Sequence, residues 1–151
     1  MARATGWARA LATLAVVLAL DQSTKQVAVA SLERGESVNV FFALDLTNTR
    51  NRGVAFGVLE GSGAVVAVLI AVALVLLIAY FAVHAGRAWL WLPVGMLLGG
   101  AIGNLVDRAR EGAVIDFIDP IAWPAFNLAD TAIVIGVLAL LYIVEGPPGR
   151  T

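Results

Sequence analysis

Asp21, Asp107, Asp116 and Asp130 are the groups in this chain whose type and setting make acid–base chemistry plausible. There is no cysteine and one histidine, His84, which excludes disulfides, thiolate metal sites, a cysteine nucleophile and a multi-histidine metal site. A histidine-based triad has His84 as its single candidate, and the position of His84 in a short turn marks it as interfacial. Carboxylates, or less readily lysine, are left to carry any catalysis. Their spacing is helical: Asp21 and Lys25 are i,i+4, as are Asn104 and Arg108, while Asn104–Asp107 and Asn127–Asp130 are i,i+3. Each of these pairs shares one helix face.

The elements that must position these residues are apolar. Of 151 residues, 60% are hydrophobic and 14% charged, whereas a soluble domain carries about a quarter charged residues, so lipid is the expected solvent. The net charge of -1 gives no basic footprint for nucleic acid. A helix needs about 20 apolar residues to span a bilayer. Four segments qualify, at about 9–32, 64–83, 89–106 and 126–144. Open sheets cannot cross hydrocarbon with unpaired edges, so the spans are helices. Arg3 and Arg9 before an apolar run, with Ala28-Val29-Ala30 beyond it, also fit a cleaved signal peptide. Asp21 and Lys25 ahead of that cut favour a retained helix. The expected fold is therefore an all-α membrane protein of one domain with four transmembrane helices. Between the first two, Val38, Val40, Phe42, Leu44 and Leu46 alternate with Asn39, Phe41, Ala43 and Asp45, predicting a strand or hairpin on a half-buried surface, a small platform lying on the membrane.

Four helices alternate in direction, so the second half of the first helix, the loop before the second, the end of the third and the start of the fourth meet at one face. Asp21, Lys25, Asn51, Asn104, Asp107, Arg108, Asp116, Asn127 and Asp130 all fall there, with Asp116 in the loop after the third helix. Ionisable residues at membrane depth face a bundle interior or a wet cavity and are functional candidates by default. Asp130 lies about 6 Å below the start of its helix, so the set describes a polar pocket just inside one interface. The short segments holding Arg3, Arg9, Arg87 and Arg150 are denser in positive charge than the longer ones holding Arg34, Arg50, Arg52, Arg108 and Arg110, which puts both termini in the cytoplasm and the pocket near the extracytoplasmic face. Plainer readings stand beside the functional ones. Asp21–Lys25 fits a structural ion pair, Arg108 the negative end of a helix dipole, Asn127 an N-cap, Asp119 a turn, and Asp130 dipole stabilisation at a helix start.

Five blocks of the sequence resemble the lipoprotein signal peptidase (signal peptidase II) family. They are Asp21-Gln22-Ser23-Thr24-Lys25, Asn51-Arg52-Gly53-Val54-Ala55-Phe56-Gly57, Gly99-Gly100-Ala101-Ile102-Gly103-Asn104-Leu105-Val106-Asp107-Arg108, Val114-Ile115-Asp116-Phe117-Ile118 and Phe126-Asn127-Leu128-Ala129-Asp130. They occur in the family's order across nearly the whole chain. Arg52 stands where the loop motif often has a smaller residue, and the link from Asp116 to Asp130 is short. The resemblance implies a bacterial cytoplasmic (inner) membrane aspartyl endopeptidase that removes signal peptides from prolipoproteins, cutting before a diacylglyceryl-modified cysteine. It implies Asp116 and Asp130 as the catalytic dyad, with Asn104, Arg108 and Asn127 positioning substrate or dyad, and Asp21, Lys25, Asn51, Gly103 and Asp107 as supporting pocket residues. Expected partners are the diacylglyceryl-modified prolipoprotein and membrane lipid, with no metal, no other cofactor and no nucleic acid, and the expected state is a monomer.

The chemistry agrees with that assignment. Two carboxylates a few ångströms apart cannot both ionise cheaply, so one is held protonated while its partner stays charged. The protons belong to the pair, and the sequence does not say which aspartate holds one at rest. A small transporter or proton-relay protein is the main alternative, but it predicts polar residues continuing to the opposite face or helices broken at the midplane. A non-catalytic scaffold is a further one, and it would tolerate loss of both aspartates.

Overall fold

A computed structural model of the chain describes residues 2–52 and 63–146. Residues 53–57 of the loop motif and the Pro147-Pro148-Gly149 tail lie outside them. The elements are α1 (Ala2–Ser31), β1 (Ser37–Phe41), β2 (Leu44–Asn51), α2 (Gly63–His84), α3 (Trp91–Glu111), β3 (Val114–Pro120) and α4 (Leu128–Glu145). α1 and α4 are each long and apolar enough to cross a bilayer, and α2 carries an apolar run over Val68–His84.

Two helices outrun the apolar segments that foretell them. α1 begins at Ala2 rather than near 9, and α3 continues to Glu111 rather than 106. Apolar length marks what hydrocarbon tolerates, whereas backbone hydrogen bonding continues into polar sequence until something stops it. For α3 that stop is Gly112, whose left-handed backbone (φ 68) lets its N–H bond the Arg108 carbonyl at 3.1 Å. Within α1 the hydroxyls of Thr13 and Thr24 are satisfied by the helix's own backbone, donating to the carbonyls of Arg9 (3.0 Å) and Leu20 (2.8 Å).

α3 is the central helix, packed on α1 along one side and α4 along the other. Its small residues make this possible. A methyl at Gly99 would stand 2.9 Å from the Leu14 carbonyl of α1, and one at Gly100 would stand 2.5 Å from the Ala129 carbonyl of α4. Where backbones meet this closely only glycine fits, which is how helices associate without a hydrophobic gain over lipid. At the end of the bundle bearing the N-terminus, Ala10, Phe81, Ala85, Leu90 and Val94 form a buried apolar cluster. Trp7 meets Phe81 there edge-on at 4.7 Å. Arg3 and Arg87 cap free carbonyls at this end, Arg3 on Val83 of α2 (3.4 Å) and Arg87 on Ile143 and Val144 of α4.

At the opposite end lies a three-stranded antiparallel sheet in the order β1-β2-β3. The anticipated hairpin is present, with Val38 facing Leu46 and Ser37 facing Thr47. Its surroundings differ from the expectation of a half-buried surface. β1 is exposed throughout, and Phe42 at the turn is 90% exposed, because no other part of the described chain covers that side. β3 corrects the reading of 114–120 as a loop: Asp116 sits in a strand, paired with Thr49 of β2, and Asp119 faces Asp45 rather than making a turn. Val114 to Phe117 are all buried, so β3 shows no alternation of polar and apolar residues to betray it.

Candidate active site

The site is assembled from α1, β2, α3, β3 and the start of α4, and Asn127 joins the last three. Gly112 turns the chain out of α3 and β3 follows at once, carrying Asp116 along the side of β2. Phe126 then pairs with Ile118 (N–H to carbonyl 2.9 Å in both directions), folding the chain back so that Asn127 arrives beside Asp116. Asn127 is the N-cap of α4, as one sequence reading anticipates. Its Oδ1 accepts the Asp130 N–H at 2.9 Å, while Asp130 Oδ2 accepts the Asn127 N–H at 3.3 Å, a reciprocal capping box. Its amide nitrogen donates to Asp116 Oδ1 at 2.7 Å and to Asn104 Oδ1 and the Ile115 carbonyl, each at 3.2 Å.

Amide donors therefore hold both carboxylates. Asp116 Oδ2 accepts from Asn51 Nδ2 at 3.0 Å, and Asp130 Oδ1 accepts from Asn104 Nδ2 at 2.8 Å. A carboxylate oxygen can accept a second bond, so neither group is saturated by these partners. Asp116 is 2% exposed. Burial pushes its carboxyl from the usual 3.8 up to about 6, and the Asp130 charge adds to this, while the amide donors Asn51 and Asn127 and the Lys25 cation hold it down.

Behind the carboxylates lies a fully buried ionic cluster. Lys25 Nζ stands 2.8 Å from Asp21 Oδ2 and 2.7 Å from Asp107 Oδ2, and donates to Asn104 Oδ1 at 3.0 Å, which uses all three of its hydrogens. Asp21 Oδ1 also accepts the Ala129 N–H at 2.9 Å, so a carboxylate from α1 binds the first turn of α4 and opposes its dipole. Asp107 Oδ2 accepts the Ile115 N–H at 3.2 Å and so holds β3. The cluster ties the backbone just before Asp116 to α3 and the backbone just before Asp130 to α1.

A Signal peptidase (SPase) II family model matches residues 13–145. The chain belongs to the signal peptidase II family. A lipoprotein signal peptidase of Moorella thermoacetica is 43% identical over 137 residues, covering 89% of this chain and 91% of that one. The lipoprotein signal peptidase of Halothermothrix orenii is 38% identical over 130 residues, with coverage of 85% and 90%. A solved bacterial membrane enzyme, determined by the in meso method at 2.3 Å resolution, superposes with a TM-score of 0.84 at 28% identity, covering 94% of this chain and 91% of that one.

Of the residues singled out in this signal peptidase II chain, Asp21, Lys25, Asn51, Asn104, Asp107, Asp116, Asn127 and Asp130 share one hydrogen-bonded network. Gly103 belongs to it through its backbone carbonyl and through space: a methyl there would stand 2.5 Å from Asp21 Oδ2. Gly103→Ala is therefore expected to cost about 1–3 kcal/mol of stability and to lower peptidase activity by displacing Asp21 from α4. A thermal melt and a cleavage rate measured together test this, and an unchanged melting temperature would contradict it. Arg108 is half-buried, and its guanidinium bonds back to the Asn104 carbonyl at 3.5 Å rather than to either carboxylate. Gln22 was missed. Its amide donates to Asp107 Oδ1 (2.9 Å), Asp21 Oδ2 (3.2 Å) and the Gly103 carbonyl (3.3 Å). The signal lay in the first motif itself, where a glutamine stands next to Asp21 at membrane depth.

The Asp116 shift has a sign that can be measured. Raised above the ordinary value, this carboxyl binds its proton more tightly in the folded than in the unfolded chain. Its contribution to stability is fully present below about pH 3.8 and is lost as pH rises through about 6. If turnover needs one shared proton, kcat/KM declines on the alkaline side from about pH 6 upward. Asn51→Ala removes a donor that holds the value down and is expected to move that limb to higher pH. A limb displaced to lower pH would contradict the assignment.

Proposed function

We propose that this protein is a membrane aspartyl endopeptidase that removes signal peptides from prolipoproteins by cleaving before a diacylglyceryl-modified cysteine, with Asp116 and Asp130 as its catalytic dyad. The observation that carries the reading is the bridging of the two carboxylates, which come from separate elements, by the single residue Asn127, whose side-chain amide binds one and whose backbone N–H binds the other. The family supplies the reaction and substrate class. The geometry supports two adjacent acids held by neutral amides.

In the proposed reaction, the ionised carboxylate takes a proton from water as the water oxygen attacks the scissile carbonyl. The protonated carboxyl hydrogen-bonds the carbonyl oxygen as charge develops there. The tetrahedral intermediate then breaks its C–N bond, and a carboxyl proton goes to the departing amine, leaving one proton on the pair. Asn104, Asn127 and Asn51 orient the dyad, Asp21, Lys25 and Asp107 hold those orienting groups, and Arg108 with the pocket's backbone groups receives the extended peptide. The whole chain is one domain crossing a bacterial cytoplasmic membrane four times as a monomer, with both termini cytoplasmic and the dyad near the extracytoplasmic face. The exposed Val38, Val40, Phe41 and Phe42 of the hairpin suit a platform resting in the headgroup layer at that face, where lipid covers them.

The test is a cleavage assay in detergent with a diacylglyceryl-cysteine signal peptide and its unlipidated counterpart. A cut immediately before the lipidated cysteine, with the unlipidated peptide left intact, is the expected result. Folded protein that cleaves neither peptide would overturn the proposal.

A further inference from the structure

At the end of the bundle opposite the dyad, α1 and the turn joining α2 to α3 border a half-open cavity of about 220 Å³, lined by Arg9, Arg87, Trp89 and Trp91 together with small residues of α1 and of the turn. Small-molecule pockets start at about 300 Å³, so this one is sized for a headgroup. Its charge is one-sided, because no carboxylate is among its lining residues. Neither Arg9 nor Arg87 takes part in an ion pair among the described residues. The Arg9 guanidinium lies over the Trp91 ring at 5.8 Å, and the Trp89 and Trp91 rings are 5.9 Å apart. Arg87 spends its described bonds on the carbonyls of Ile143 and Val144, which anchors it while its charge stays exposed.

The backbone points the same way. Leu90, which precedes α3, makes no side-chain cap; the Leu92 N–H bonds the Trp89 carbonyl at 3.0 Å and Pro93 has none, so the helix adds its dipole rather than a row of free donors. Trp89 holds a left-handed backbone (φ 64), rare for so bulky a residue, and is 64% exposed. Tryptophans at such a depth sit at the level of lipid headgroups. Two guanidiniums and an indole pair make a site for one phosphate, and basic pockets between helices at a membrane surface take anionic headgroups.

We propose that this cavity binds the phosphodiester of an anionic phospholipid, with Arg9 and Arg87 on the phosphate and the two indoles on its glycerol and upper acyl segments. The site is independent of the peptidase reading, since it shares no residue with the dyad network.

Native mass spectrometry of the detergent-purified protein with phosphatidylglycerol, against phosphatidylcholine of identical chains, measures the preference. Phosphatidylglycerol is expected to bind at least about tenfold more tightly, one decade in Kd being about 1.4 kcal/mol. Arg9→Gln is the decisive variant, because the Arg9 side chain caps no carbonyl among the described residues and its loss should leave the fold intact. It is expected to abolish the preference, whereas Arg34→Gln, outside the cavity, keeps it. Melting curves in the two lipids provide a second readout, with the phosphatidylglycerol-dependent rise lost in Arg9→Gln alone. Equal binding of both lipids, or undiminished preference in Arg9→Gln, would overturn the proposal. Displacement of phosphatidylglycerol by millimolar inorganic phosphate would also overturn it, since that would identify a free-phosphate site.

Discussion

Asp116→Asn and Asp130→Asn, each made alone, are expected to lower cleavage of the lipidated peptide by on the order of 10,000-fold, the scale set by single members of other catalytic constellations, while the protein stays folded. The fold survives because each change is nearly isosteric and removes a buried charge. The amide oxygen placed at position 116 would still accept one of the two bonds now given by Asn51 and Asn127. The one placed at position 130 would keep one of those given by Asn104 and the Asn127 backbone. The cost is a buried donor facing a donor, about 1–3 kcal/mol. Activity collapses because an amide can neither accept a proton from water nor return one to the amine. The two losses should not add, since the carboxylates act as one titrating unit. Parallel melting curves keep the result interpretable. If both variants are folded and cut at the wild-type rate, Asp116 and Asp130 are not the catalytic dyad.

The second large effect concerns a residue that does no chemistry. Lys25→Met is expected to destabilise the protein by about 3–5 kcal/mol, because it leaves Asp21 and Asp107 buried and charged without their cation. Asp21 is 0% exposed and Asp107 3%, so neither can recover its loss from water in place. The cluster carries a net charge of -1 (one cation, two carboxylates), kept tolerable by the N–H groups of Ala129 and Ile115 and by Gln22. Without Lys25, repulsion between the two carboxylates drives α1 from α3 and frees the first turn of α4. Activity should then fall along with stability, although the bonds of Lys25 go to Asp21, Asp107 and Asn104 rather than to the dyad. Lys25→Met/Asp107→Asn is expected to recover part of the melting temperature by removing one unpaired charge, which separates the electrostatic effect from lost packing. A single variant as stable as wild type would show that the cluster is not ionised as drawn.

What could be read from the residues alone was local. Helical spacing put Asp21 with Lys25, Asn104 with Asp107 and Arg108, and Asn127 with Asp130, because the α-helix repeats every 3.6 residues whatever surrounds it. Apolar length foretold the four helices, and the choice of residues left carboxylates, or less readily lysine, to carry any catalysis. The N-cap at Asn127 was legible as well, since capping depends on a single turn. What the tertiary structure alone decided was whatever needed two distant segments. The buried half of β3, Val114 to Phe117, carries no alternation, and its register against β2, with Thr49 facing Asp116, has no local code. The pairing of Ile118 with Phe126, which sets Asn127 against Asp116, is likewise a matter of chain closure. Gln22 escaped notice because its partners, Asp107 and the Gly103 carbonyl, lie on another helix. Identity of residue and helical phase is written along the chain, while distance between carboxylates is fixed only when α1, α3 and α4 pack glycine to backbone.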